Sequence, residues 1–114
     1  MVNDETGKKD ELHFIQLVLM FQTAALQQMG KVQNPITQKI ERDLDQARLS
    51  IGMLEMIQNK TKNSLSENEK KYLEHALFEL RMNFVDEMSK DKEKKKEDGS
   101  TSKGPEKKEE DQQP

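Results

Sequence analysis

The chain contains no cysteine. That excludes a disulfide framework, a thiolate nucleophile, an iron–sulfur cluster and a thiolate zinc site, so a domain of this size is held by packing alone. No basic stretch followed by an apolar run opens the sequence: Met1 to Glu11 is polar and mixed in charge, which gives no secretory signal and leaves the cytoplasm as the expected compartment. Glycine is scarce. Gly30, Gly52, Gly99 and Gly104 are isolated and Gly7 lies in the polar leader, so no glycine-rich loop is present to cradle a phosphate. Ser50, Ser64 and Ser66 lie in no nucleophile-elbow motif. The two histidines, His13 and His75, belong to no Glu-x-x-His pattern of the kind that builds helical di-metal sites. Catalytic, cofactor and metal sites are therefore all expected to be absent, and the chain is read as non-enzymatic. Net charge is -3, and Arg42, Arg48 and Arg81 each stand among acidic neighbours, a poor basis for nucleic-acid binding.

The hydrophobic share, 32% of 114 residues, is low for a globular protein, but it is unevenly spread. All but two of the hydrophobic residues fall between Leu12 and Met88, a stretch of ordinary globular composition at about 44% apolar. Beyond Met88 there is none. Ser89 to Pro114 carries eight Lys and eight Asp or Glu, a polyampholyte that has nothing with which to build a core and is expected to be disordered.

Three helical segments are expected, in an all-α hairpin or bundle, at about 11–29, 40–59 and 67–90. A polar leader (1–10) precedes the helical domain (11–89), and the charged tail (90–114) follows it, with Lys90 to Asp98 as a candidate frayed extension of the third helix. The first helix has no formally charged residue from Leu12 to Met29, and Gly30-Lys31 reads as its left-handed C-terminal cap. Asp10 and Glu11 are expected to face the positive end of its dipole. Its apolar residues cover an arc of about 220°, twice what a one-sided surface helix needs. The remaining strip, with His13, Gln16, Thr23, Gln27 and Gln28, is polar but uncharged, and partial burial is expected there too. The window from Leu12 to Gly30 approaches the length of a membrane span, but its four Gln, one His and one Thr favour a core helix. It also lacks the Lys and Arg of an interfacial anchor.

Asn34-Pro35 breaks the chain. Ile40, Leu44, Ala47, Ile51 and Leu54 then form a 4,3,4,3 seam, with Leu49, Met53, Met56 and Ile57 off it. Gly52 within this helix is either a tolerated substitution or a point of close backbone approach. Ser66 and Glu69 make a capping box that opens the third helix, whose inward stripe is Leu73, Ala76, Leu77, Leu80, Phe84 and Met88. Phe78, Met82 and Val85 occupy a second face.

The strings FIQLVLMFQTAALQQMGKV, NPIT and DLDQARLSIGMLEMIQNKTKNSLSENEKKYLEHALFELRMNFV, in that order and spacing, resemble a small bacterial family, domain of unknown function number 1844. The resemblance implies a helical fold and bacterial origin. It brings no activity, cofactor or active-site residue.

Surplus apolar area on all three helices argues for association. The leading expectation is a helical interaction module that forms a homo-oligomer, a dimer above all, through the first helix, with Phe14, Leu17, Val18, Phe21, Gln22 and Ala25 at the interface. The alternative is a monomeric adaptor that presents Met20, Met29, Met53, Met56 and Met82 to another protein or an apolar ligand. On that alternative, plain core packing of the same methionines is the competing explanation.

Overall fold

A computed structural model describes residues 4–97 of the chain. Three α-helices follow one another, α1 (Asp4–Gln28), α2 (Leu44–Lys60) and α3 (Glu67–Glu97), and no strand occurs among the described residues. The contacts divide the chain into two units that meet within α3, Met1–Phe84 and Val85–Pro114.

In the first unit the helices share one core. Val18, Ala25 and Met29 from the first helical segment, Ala47, Ile51 and Leu54 from α2, and Leu73, Ala76, Leu77 and Leu80 from α3 are buried together. Phe14, Phe21, Leu26, Leu44, Ile57, Leu65, Tyr72 and Phe84 pack around them. The spacings of these residues are those of a helix stripe, and each fully buried Leu contributes about 1.5–3 kcal/mol relative to exposure.

The helix ends have identifiable causes. At the end of α1 the Lys31 amide donates to the Leu26 carbonyl (2.9 Å) and the Gly30 amide to the Gln27 carbonyl (3.0 Å), the paired bonds of a Schellman turn, with Gly30 at φ 84°. Asp43 caps α2, its carboxylate accepting from the Gln46 amide at 3.2 Å, and its own amide donates to the Gln28 carbonyl at 2.7 Å. This fixes the start of α2 against the end of α1. The capping box at α3 is complete: the Ser66 amide donates to Glu69 Oε1 (2.8 Å) and the Glu69 amide to Ser66 Oγ (3.2 Å).

Boundaries differ from the sequence reading in three places. α1 starts at Asp4, so most of the polar leader is helical, and Asp10 and Glu11 lie inside the helix and not at its dipole end. α2 starts at Leu44 rather than near 40, because Asp43 supplies the cap and Ile40 stays exposed in the preceding loop. α3 reaches Glu97, taking in most of the charged run that was a candidate extension. The remainder of the expected disordered tail, 98–114, lies outside the described residues.

The second unit, from Val85, is described as the C-terminal part of α3. Glu87 is buried, and Lys90 Nζ lies 3.0 Å from Glu87 Oε2 and 3.6 Å from Asp86 Oδ2, i,i+3 and i,i+4 pairs that support a helix poor in apolar residues.

Candidate interaction surface

The core fixes how α1 is turned. Val18, Ala25 and Met29 recur at intervals of seven and four and face inward, so the opposite side of the helix is made of Leu12, His13, Gln16, Met20, Thr23 and Gln27, with Leu19 along one flank and Leu17 and Ala24 along the other. Leu12, Leu19 and Met20 are exposed, Met20 at 67%. His13, Gln16 and Thr23 are exposed as well, so the partial burial expected of the uncharged strip is not provided within one chain for those three; Gln27 and Gln28 are half-buried. The outcome is a helix face about 22 Å long, at 1.5 Å per residue, with no charged side chain between Leu12 and Gln27. Thr23 and Ala24 are small, and with Leu19, Met20 and Gln27 they form an open, shallow and mainly apolar stretch of the helix surface.

α2 adds to the same side. Ser50 Oγ donates to Gln28 Oε1 (2.8 Å) toward α1, and Arg81 Nη2 of α3 donates to Glu55 Oε2 (2.9 Å) on the other flank. Leu49, Met53 and Met56 lie on the side of α2 away from Glu55, and all three are exposed. Phe78 and Met82 lie elsewhere. Tyr72 and Glu79 meet Gln22 of α1, and Arg81 meets α2, which leaves Phe78 and Met82 on the outer side of α3, also exposed. Val85, in the second unit, is exposed.

The residues assigned to an interface from the sequence divide. Val18 and Ala25 are 0% exposed and have no surface left to offer a second chain. Phe14 and Phe21 are half-buried against the core, and Gln22 is half-buried, accepting from Tyr72 Oη (3.4 Å) and donating to Glu79 Oε1 (3.5 Å). Leu17, at 38%, is the most open of the six. Helical periodicity located an apolar arc but not which side of it the core would take. Of the residues outside that set of six, Thr23 lies opposite the Val18–Ala25–Met29 stripe, with Leu19 and Ala24 on its two flanks. Of the methionines, Met29 alone of the five is in the core; Met20, Met53, Met56 and Met82 are exposed.

A second concavity, about 420 Å³, is lined by Gln27, Gln28, Asn34, Glu41, Arg42 and Asp43. Its polar groups hold the loop together: Asn34 Nδ2 donates to Glu41 Oε1 (3.0 Å), Gln28 accepts from Ser50, and Asp43 caps α2. His75 Nε2 lies 3.2 Å from Glu79 Oε2 on the exposed side of α3. Among the described residues no group of three or more His, Asp or Glu is placed to hold a metal ion, and no helix is long and apolar enough to cross a membrane.

Residues 11–87, from within α1 through α2 to within α3, match the family described as a domain of unknown function (DUF1844). The chain belongs to this family. The DUF1844 match begins one residue before Leu12, where the charge-free face starts, and spans the whole shared core. No curated protein and no solved structure matches the chain.

Proposed function

We propose that this DUF1844 chain is a non-enzymatic helical module that self-associates as a dimer through the outer face of α1. The observation that carries the reading is the charge-free surface of α1, exposed from Leu12 to Thr23, flanked by Met53 and Met56 of α2. Charge is depleted at the centres of protein interfaces because burying it costs several kcal/mol per ion, and a face with no charge of either sign meets its own copy without repulsion. Methionine side chains at its edge adapt to an irregular surface.

The test is the absolute mass of the full-length chain by light scattering over a dilution series. The expected result is twice 13.3 kDa at high concentration, falling on dilution. Met20→Glu is expected to shift the protein to monomer with its helical signal intact. Phe21→Glu is a poorer probe, since Phe21 packs against the core. A wild-type mass of 13.3 kDa at every concentration overturns the reading.

The exposure of Met20, Met53, Met56 and Met82 favours a second reading, a monomeric adaptor that offers these side chains to another protein or an apolar ligand. Strong binding of a hydrophobic dye by a monomeric wild type supports it; weak binding by a dimer supports the first.

A further inference from the structure

With no cysteine in the chain, methionine is its only sulfur-bearing residue, and no thiol competes with the thioethers for an oxidant. Methionine is also among the residue types most often buried. Here Met20, Met53, Met56 and Met82 are exposed, Met53 the least open of them at 41%, while Met29 is fully buried in the shared core. Met53 and Met56 stand three residues apart on one side of α2, and a Cβ added at Gly52, one turn before Met56, would meet nothing within 4 Å, so that turn is open to small molecules. A thioether has no proton to lose, and access decides whether it reacts. Place also decides what the reaction does. A sulfoxide oxygen in an apolar core is cut off from water, whereas at the surface water meets it with hydrogen bonds.

We propose that Met20, Met53, Met56 and Met82 are sites of reversible oxidation by peroxide, and that their sulfoxides make the outer surface polar while Met29 and the fold stay intact. In each event the sulfur lone pair attacks one oxygen of hydrogen peroxide; an S–O bond forms and the O–O bond breaks. The sulfur is oxidised by two electrons, and the second oxygen leaves with both protons as water. A methionine sulfoxide reductase restores the thioether at the expense of a dithiol, which becomes a disulfide as the oxygen departs as water. The inference does not rest on self-association. It concerns the state of the surface in a lone chain, and a sulfoxide weakens an apolar contact whatever the partner.

The experiment treats the full-length chain with hydrogen peroxide, at the dilution that gives its lowest mass by light scattering, and follows oxidation residue by residue by peptide mass mapping. The four exposed methionines are each expected to gain one oxygen at least about tenfold faster than Met29. At that stage the chain is expected to keep cooperative thermal unfolding and to elute earlier from a hydrophobic-interaction column, and sulfoxide reductases with a dithiol are expected to restore both mass and elution. A variant combining Met20→Leu, Met53→Leu, Met56→Leu and Met82→Leu, which conserves volume, is expected to elute unchanged after the same treatment. Met29 reacting as fast as Met20, loss of cooperative unfolding once the four sites are oxidised, or an elution shift that is absent in the wild type or equal in the leucine variant overturns the proposal. A wild type that is monomeric at every concentration overturns self-association and leaves this inference standing.

Discussion

A Cβ added at Gly52 would meet nothing within 4 Å, whereas one added at Gly30 would lie 3.0 Å from Arg42 Cδ in a backbone at φ +84°. Gly52→Ala is therefore expected to stabilise the fold by about 0.5–1 kcal/mol, through helix propensity and a less flexible unfolded chain. Gly30→Ala is expected to destabilise it by about 1–2 kcal/mol, the cost of a left-handed alanine. Urea unfolding of both variants checks the two signs. The sequence made Gly30 legible because a cap is a local event, following a run of good helix formers. It left Gly52 open between two explanations, since only the position of the neighbouring helices tells a tolerated glycine from a close approach. No neighbour approaches it within the chain, and the tolerated substitution is what the structure contains.

At the scale of elements, local chemistry was readable and its long-range partners were not. The reciprocal bonds of Ser66 and Glu69 follow from their spacing, and both form. Nothing in the spacing announces that Glu11, 55 residues earlier, accepts from Ser66 Oγ at 3.0 Å and from Asn68 Nδ2 at 3.1 Å, joining the start of α3 to α1. Ser66→Ala removes the cap and the Ser66–Glu11 bond together, and leaves Asn68 on Glu11. The expected loss is about 1–2 kcal/mol, the upper part of the range for an N-cap, read as a lower urea midpoint with an unchanged slope. The early start given to α2 has the opposite origin: Ile40 fits the 4,3 periodicity, but Asp43 already meets the cap requirement three residues later, and capping outweighed the pattern.

For the whole molecule, the number of helices and most of the core stripe were legible, because both depend on periodicity within one segment. Which apolar side chains of α1 would stay exposed was not, because an arc of 220° gives no direction until α2 and α3 have chosen a side. Those helices took Val18, Ala25 and Met29, and left Leu19, Met20 and Thr23 outside. The shared core also makes α3 indispensable. A chain ending at residue 60 retains α1 and α2 but loses Leu73, Ala76, Leu77 and Leu80 from the cluster. It is expected to lose cooperative thermal unfolding by circular dichroism and to bind a hydrophobic dye more strongly than the full-length chain.

The same core sets a timetable for the chain as it is made. Met29 is added about fifty residues before Leu80, and at about 5–20 residues per second the inward face of α1 waits about 3–10 s for its cover. During that interval both sides of the charge-free stretch of α1, from Leu12 to Gln28, are open at once. The nascent chain then depends on whatever shields hydrophobic segments near the ribosome, and slowing translation between residues 30 and 80 would lengthen that dependence in proportion.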